Sequence, residues 1–326
     1  MLFAGGAKWE DRPEGGSGAH RISVRSFRFS PPLEACFTGL YVVRVDGRPG
    51  EHVTDFLHPE WVSLRFVEGE PLLAGVGGAA LASQPPFLAN GPINQAIRLG
   101  MANCRMWAIG LRPAGWARFV AAGADALVNR IADGSAHPAL SVFAPLLGRI
   151  RAGGGNVDAV ARQIDEYLLG LLHRPAPQEA QVIACQEALR DPEITGVAQL
   201  CERVGMSQRS LERLCQRYLV FPPKMLLRRQ RFMRSLTQFL RDPSLAWIDA
   251  IDRQYHDQAQ FVREFRSFMG ITPSRFAAMP HPILGAIMRN RFPDRDLAEP
   301  LPPPPPPAAT RVRQAADGPR AGAAGD

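Results

Sequence analysis

The segment HDQAQFVREFRSFMGITPSRF, residues 256–276, carries the strongest fold signal in the sequence. Phe261, Phe265 and Phe268 recur at three- and four-residue spacing, and polar and basic residues lie on the opposite side. This period predicts an amphipathic helix whose aromatic face belongs to a core. Asp257 stands where a side-chain oxygen can cap the first turn, and a Gly-x-x-Pro sequence marks the end.

A related segment lies fifty residues earlier in the chain. The sequence LERLCQRYLVFPP (211–223) aligns without gaps with FVREFRSFMGITP (261–273), and a shorter helical stretch precedes each copy, at 197–204 and at 245–253. A short helix, a tight break and a second helix form the helix-turn-helix pattern, with Ser207 as the cap of the second helix in the first copy. The matched positions are Leu211 with Phe261, Arg213 with Arg263, Cys215 with Phe265, Leu219 with Met269 and Pro223 with Pro273.

The outward faces of the two second helices carry residues that can hydrogen-bond the edges of DNA bases. Arginine pairs with guanine, glutamine with adenine and glutamate with cytosine in the major groove, which the second helix of such a unit enters. These residues are Gln208, Arg209, Ser210, Glu212 and Arg213 in the first copy, and Gln258, Gln260 and Arg263 in the second.

A long helix is predicted between the two copies, over residues 224–240. At ~1.5 Å per residue it spans roughly 25 Å, which suits a rigid connection between two major grooves one DNA turn, ~34 Å, apart. Its basic residues have two alternative roles, as contacts to DNA phosphates or as a solvated helix face. They are Arg228, Arg229, Arg231 and Arg234.

Residues 190–279 resemble the double helix-turn-helix domain of AraC/XylS-type transcription regulators. The resemblance implies a sequence-specific DNA-binding regulator with double-stranded DNA as its partner. The matching sequence comprises YHDQAQF at 255–261, Arg263, Phe265, GITP at 270–273 and Phe276. Carried over by position, the base-reading residues are Arg209, Glu212 and Arg213 in the first unit and Gln258, Ala259 and Arg263 in the second.

Two residues depart from the pattern of that family. Gln254 stands where its second turn has glycine, and Asp249 stands where it has an apolar residue. Glutamine in a left-handed turn costs roughly 1 kcal/mol relative to glycine. We therefore expect the second unit either to turn differently or to bind DNA more weakly.

The residue pattern of the first half of the chain predicts a β-rich domain that also contains helices. Runs at 37–45 and 61–67 read as strands, and 156–172 reads as an amphipathic helix that packs on its own domain or pairs with a second copy. This half resembles the N-terminal domain of one AraC-type subgroup. The matching turn consists of Gly110, Arg112, Pro113 and Gly115. In the wider family such domains sense small effectors or mediate dimerisation.

These signals predict an α+β protein in which a β-rich domain with helices precedes an all-helical domain of two helix-turn-helix units joined by a long helix. The predicted divisions are a disordered start (1–20), a sensor or dimerisation domain (21–173), a linker (174–180), the DNA-binding domain (181–280) and a disordered Pro-rich tail (281–326).

Composition points to a protein of the cytoplasm with an anionic partner. The net charge is +7, and almost all of the positive charge is arginine, because Lys8 and Lys224 are the only lysines. The five cysteines form no Cys-x-x-Cys, and no run of eighteen apolar residues occurs. We predict no metal site, no cofactor, no membrane association and no enzymatic activity. RNA polymerase for an activator, a small-molecule effector and a second copy of the chain are further candidate partners.

Two alternative functions are retained. In one, the N-terminal domain is a ligand-binding or enzymatic domain, with Asp55, His58 and Glu60 as candidate polar residues and the DNA-binding module as an accessory. In the other, the protein is an architectural DNA binder with little sequence preference.

Overall fold

Alternating apolar residues in the first half of the chain form antiparallel strands. The computed structural model describes residues 20–120, 123–173, 176, 178–242 and 245–291. The strands are β1 (Arg21–Phe27), β2 (Phe37–Asp46), β3 (Val53–Leu57), β4 (Val62–Gly69), β5 (Leu73–Val76), β6 (Ala82–Ser83), β7 (Phe87–Asn90), β8 (Ile97–Met101), β9 (Cys104–Leu111) and β10 (Ile131–Asp133).

Two sheets arise from these strands. One has the order β1-β2-β9-β4-β7-β10 and the other the order β3-β8-β5-β6, within the described residues. Strand β9 lies at the centre of the larger sheet and pairs antiparallel with β2 on one side and β4 on the other. Successive residues of a strand face opposite sides, so Val42 and Val43, both fully buried, enter two different cores.

The helices follow the sheets in the chain. They are α1 (Pro113–Phe119), α2 (Pro145–Ala152), α3 (Val157–Gly170), α4 (Glu179–Ala188), α5 (Val197–Val204), α6 (Gln208–Leu214), α7 (Pro223–Arg241), α8 (Trp247–Ala250), α9 (Gln258–Met269), α10 (Pro273–Ala277) and α11 (Pro282–Arg291). The predicted α+β class is confirmed, with the β-rich half first and helices after it. The strands predicted at 37–45 and 61–67 and the helix predicted at 156–172 are confirmed as β2, β4 and α3.

Helix α3 packs on its own half of the molecule. The side chain of Asn156 caps it by accepting a hydrogen bond from the Ala159 amide at 3.1 Å. Val160, Ile164 and Leu168 are buried in the core under the larger sheet. Of the two alternatives for this helix, packing against its own domain is the one that the structure supports.

The fifty-residue repeat is borne out by burial at every matched position. Leu211, Cys215, Leu219 and Pro223 are buried, as are their counterparts Phe261, Phe265, Met269 and Pro273, whereas Arg213 and Arg263 are both exposed. The copies differ where the second helix ends. Residues 215–219 form a turn of π-helix in the first copy, and Val220 has a φ of 70° where the second copy has Gly270 at 73°.

The second helix-turn-helix unit packs directly against the N-terminal sheets. Its aromatic residues share one core with apolar residues of the sheets, including Val43 and Met106. The Ala96 amide, just before β8, donates a 2.7 Å hydrogen bond to the carbonyl of Phe268 on α9. The described residues therefore belong to one compact unit, and the predicted boundaries at 173 and 181 stay predictions.

The prediction of a disordered tail from 281 onward was wrong for its first residues. Pro282–Arg291 form α11, which packs against β1 and β3. Buried Asp55 of β3 accepts hydrogen bonds from the amides of Ile283 (2.9 Å) and Leu284 (2.7 Å) and from Nδ1 of His281 (3.0 Å). The carboxylate of β3 thus accepts hydrogen bonds from free N–H groups in the first turn of α11. Pro282 stands at the first position of this helix, where proline is common. The predicted disordered segments 1–19 and 292–326 lie outside the described residues.

Gly270 offers a direct test of the left-handed end of α9. A Cβ atom there would meet nothing within 4 Å, so Gly270→Ala should lower the free energy of unfolding through backbone conformation alone. We expect a loss of about 1 kcal/mol in urea denaturation. The matched control is Gly148→Ala, inside α2, where a Cβ also meets nothing and the helical backbone predicts a gain of about 0.5–1 kcal/mol. A neutral or stabilising Gly270→Ala would contradict the assignment.

Candidate nucleic-acid interface

The first recognition helix, α6, presents the predicted base-reading residues to solvent. Gly205, with a φ of 68°, ends α5, and the Ser207 hydroxyl then caps α6 by accepting from the Ser210 amide at 3.3 Å. Leu211 and Leu214 are buried beneath it. Gln208, Arg209, Glu212 and Arg213 are exposed, and Ser210 is half-buried.

Two contacts occupy some of these side chains in the free protein. Gln208 Nε2 donates to Glu212 Oε1 at 2.9 Å, and the hydroxyls of Ser207 and Ser210 lie 3.0 Å apart. This bond uses one N–H of Gln208 and one oxygen of Glu212, so each side chain keeps further polar atoms for a base edge, and Arg209 and Arg213 extend from the same exposed face.

The second recognition helix, α9, repeats this arrangement. Asp257 caps it as predicted, because its Oδ1 accepts from the Gln260 amide at 2.6 Å. Gln258, Ala259 and Arg263 are exposed. Gln260 is half-buried, and its Oε1 accepts from the His256 amide at 3.0 Å, so this side chain completes the cap. The aromatic residues of the helix, Phe261, Phe265 and Phe268, are core as predicted.

Of the two outcomes expected for Gln254, a different turn is the one that the structure shows, because Gln254 does not adopt the left-handed conformation. Among the described residues, the non-glycine positions with positive φ are Asn129, Gln178 and Val220. The turn is instead built on Asp252, whose amide donates to Ser235 Oγ at 2.8 Å and whose Oδ1 accepts from the Gln254 amide at 2.9 Å. The second unit therefore turns differently.

Gln254 also connects the two units. Its Oε1 accepts from Arg234 at 2.8 Å, and its Nε2 donates to the carbonyl of Pro192, in the loop before α5. A glycine would make neither contact. The other departure, Asp249, is exposed on α8, a helix shorter than the predicted 245–253, and its carbonyl accepts from Gln238 at 3.1 Å.

Helix α7 is the predicted connection between the units, and it belongs to the cores of both. Leu226 near its start is buried in the core of the first unit, and Phe232 and Leu236 are buried in that of the second. With 19 residues it extends about 28 Å at ~1.5 Å per residue.

The arginines of α7 do not form the solvated helix face that was one of the two roles considered for them, and the contact to DNA phosphates stays a prediction. Arg228 Nε and Arg231 Nη2 both donate to Oε1 of Glu264 on α9, at 3.0 and 2.5 Å. Arg234 Nε donates to Asp252 Oδ2 at 2.5 Å, and Arg229 is buried. Arg228, Arg231 and Arg234 hold the second unit in place through charge-assisted hydrogen bonds.

Glu264 is the centre of that attachment. Its side chain is 6% exposed, and its Oε2 accepts from the Tyr255 hydroxyl at 2.9 Å. Burial and the nearby Glu264 carboxylate raise the pKa of Tyr255 above its usual range, so the phenol keeps its proton and donates. Sequence analysis missed Glu264, because its neighbours on the helix gave no sign that it faces inward.

Of the three polar residues that supported an enzymatic alternative, His58 and Glu60 line one cavity, and Asp55 lies outside its lining. Asp55 holds α11, Glu60 is paired with Arg65, and His58 Nδ1 lies 3.1 Å from the Pro59 carbonyl.

Burial raises the pKa of Cys36 and of Cys104 to about 11, so both thiols are protonated at neutral pH. No group of three metal-ligating side chains suitable for a metal ion occurs in the described part of the chain. Among those residues, none of the helices has the length and apolarity to cross a bilayer.

The Gly-x-Arg-Pro-x-Gly turn of the N-terminal half has a structural role. Arg112 Nε donates to the Phe37 carbonyl at 2.9 Å, and Pro113 begins α1. A Cβ on Gly115 would lie 2.4 Å from the Cys36 carbonyl oxygen, so only glycine permits this approach of α1 to the chain before β2.

Comparison with known proteins bears on the helical half. Residues 200–279 match the protein family described as a helix-turn-helix domain, and they enclose α6 to α10 and most of α5. This part of the chain is a helix-turn-helix DNA-binding domain. More narrowly, it is one of the AraC type, as its resemblance implied. No curated protein matches the chain.

Solved structures show similarity over much of the chain at low identity. ToxT from Vibrio cholerae O395 bound to (E)-4-(8-methylnaphthalen-1-yl)but-3-enoic acid is 9% identical, with a TM-score of 0.40 over 80% of this chain and 98% of that one. Unsaturated-fatty-acid-bound wild-type ToxT from Vibrio cholerae strain SCE256 is 8% identical, with a TM-score of 0.39 over 82% and 97%. The AraC-like transcriptional activator CuxR is 12% identical, with a TM-score of 0.31 over 66% and 81%.

Removal of the Glu264 carboxylate tests the attachment of α9 to α7. Glu264→Ala leaves Arg231, which is 15% exposed, without its carboxylate, and breaking a buried ion pair in this way should lower the free energy of unfolding by about 3 kcal/mol. Chemical denaturation measures the change. The control Glu212→Ala removes an exposed glutamate from the other recognition helix and should cost less than about 0.5 kcal/mol. Equal effects from the two variants would exclude the proposed attachment.

Proposed function

We propose that the protein is a sequence-specific transcription regulator whose α6 and α9 read two successive major grooves of double-stranded DNA. The proposal rests on one observation: two copies of one unit present exposed side chains of the types that can hydrogen-bond base edges, and both copies pack on the same helix, α7. The AraC-type domain at 200–279 supports it.

Arg213 and Arg263 occupy equivalent exposed positions and are proposed to contact guanine through bidentate hydrogen bonds. Gln258 is proposed to read adenine and Glu212 cytosine, with Arg209, Gln208 and Ala259 at the same surfaces. Ser210 and Gln260 take part in helix caps, so their proposed contribution is to place the backbone near DNA. Each good bidentate contact contributes about 1–3 kcal/mol of discrimination between bases.

The N-terminal half is proposed to sense a small effector, with dimerisation as a second role to be tested by the oligomeric state in solution. Its direct packing on the second helix-turn-helix unit supports the sensing role, because a change in the sheets reaches α9 without passing through a flexible linker. The proposal places the protein in the cytoplasm, without catalytic activity. Contact with RNA polymerase would follow if it activates transcription.

In-vitro selection of bound duplexes with the full chain tests the function. The full chain is needed because the second unit shares its core with the N-terminal sheets. We expect a motif of two blocks about 10 base pairs apart, with affinity that falls steeply as salt rises. Equal affinity for random duplexes would favour the architectural alternative.

Arginine variants assign each block to a helix. Arg213→Ala and Arg263→Ala should each relax one block and weaken binding of the selected duplex by about 5- to 150-fold, which corresponds to ~1–3 kcal/mol. Arg266→Ala is the charge-matched control, because Arg266 is exposed on α9 but lies a turn further along. It should weaken binding to all duplexes similarly and leave the motif unchanged. An unchanged motif in Arg213→Ala or Arg263→Ala would rule out that residue as a base reader.

A further inference from the structure

A cavity of about 310 Å³ lies between the larger sheet and the helices of the second half. Its walls come from strands β2, β4 and β9, from the loop before β4, from α7 and from α11. This volume lies at the lower end of the range for sites that hold small organic molecules, about 300–1,000 Å³. The apolar part of the wall includes Met106, Met233, Leu284 and Met288.

Arg229 of α7 lines this cavity and forms no ion pair within the described residues, although the Glu60 carboxylate attracts it from beyond ion-pair distance. The residue is 5% exposed, and its Nη1 is buried without a hydrogen-bond partner. Its Nη2 reaches the Pro59 carbonyl only at 3.4 Å, and the guanidinium lies 4.2 Å from the centre of the Trp61 ring. Burial lowers the pKa of Arg229 to about 10, which still leaves it charged at neutral pH. A buried cation with an unused donor calls for an anionic partner.

The charges around the cavity favour an anion. Arg65, Arg112, Arg190 and Arg229 line it, against the single carboxylate of Glu60. Glu60 is committed to Arg65, whose Nη2 donates to it while Nη1 donates to Asn90. Glu60 therefore makes its hydrogen bond to Arg65 and only attracts Arg229 at longer range, which leaves the buried Nη1 donor of Arg229 for a ligand in the cavity.

We propose that this cavity binds a small organic carboxylate, with the anionic group at Arg229 Nη1 and an apolar body against the methionine and leucine side chains. A carboxylate is preferred to a phosphate because one unused guanidinium donor matches a monoanion. Methionine side chains adapt to irregular apolar shapes, which suits the body of such a ligand.

The position of Arg229 also suggests that ligand binding in the cavity changes the affinity for DNA. This coupling is the second part of the inference, and it rests on the proposed function. Arg228 and Arg231 flank Arg229 on α7 and bind Glu264 of α9. A ligand that draws Arg229 into the cavity would move the segment of α7 whose other arginines position the second recognition helix, α9. The ligand is therefore expected to change affinity for DNA.

The binding half is tested without DNA, by thermal unfolding and calorimetry of the full chain with 4-phenylbutyrate and its neutral amide, 4-phenylbutanamide. At tenfold excess over its Kd, the carboxylate should raise Tm by about 3 °C, and the amide should not. No rise up to 10 mM carboxylate, or an equal rise with the amide, overturns the proposal. An equal rise with inorganic phosphate overturns the assignment to a carboxylate.

Two variants place the ligand in the cavity. Arg229→Gln removes the charge and should weaken binding of 4-phenylbutyrate at least ~10-fold, and Met233→Trp keeps the charge but fills the space and should do the same. Arg151→Gln, an exposed arginine on α2 outside the cavity, should bind as wild type does. Unchanged binding in either cavity variant contradicts the proposed site, and Met233→Trp decides the matter if Arg229→Gln does not fold.

The coupling half is tested by titrating the selected duplex with and without saturating 4-phenylbutyrate. A change in the Kd for DNA of at least ~5-fold is expected, absent in Arg229→Gln. Ligand binding without any change in Kd would overturn the coupling and leave the site standing. Loss of all sequence-specific DNA binding in the wild type would instead overturn the proposed function, so the two failures are distinguishable.

Discussion

The buried carboxylate of Glu264 is the interaction on which the arrangement of the helical half depends. It is held by Arg228 and Arg231 from α7 and by the hydroxyl of Tyr255. Adjacent residues of a helix diverge by about 100°, so fixing Glu264 inward directs its neighbour Arg263 outward, to the surface proposed to meet DNA. This attachment also gives a structural role to Arg228, Arg231 and Arg234, three of the arginines of α7.

Helix α7 combines three tasks along one length of chain. Leu226 completes the first unit, Phe232 completes the second, and Arg229 faces the cavity beside the N-terminal sheet. Gln254 adds a direct connection from the second unit to the Pro192 carbonyl of the first. The two recognition helices therefore belong to one compact unit, and we infer that α7 keeps their relative position fixed.

Periodicity and caps in the sequence were sufficient to predict the repeat, α3, the strands β2 and β4 and the outward positions of Arg213 and Arg263, because each depends on local spacing and on the burial of apolar faces. Local spacing and caps do not predict contacts between residues that are far apart in the sequence. Asp55 and the start of α11 are more than two hundred residues apart, so the helix beyond Pro280 was missed. The different turn at Gln254 was anticipated, but its partners Arg234 and Pro192 are not visible in the local sequence. Glu264 and Arg229 were missed as key residues for the same reason.

The central claim is that α7 fixes the spacing of the two recognition helices, and a change in operator spacing measures this most directly. The Kd of the full chain for a selected duplex is compared with that for duplexes carrying 5 or 10 extra base pairs between the two blocks. A rigid body predicts that both insertions reduce affinity to that of a single block, since even one full turn, ~34 Å, places the second groove out of reach. Recovery of full affinity with the 10-base-pair insertion would mean that the units move independently, and the account would be wrong.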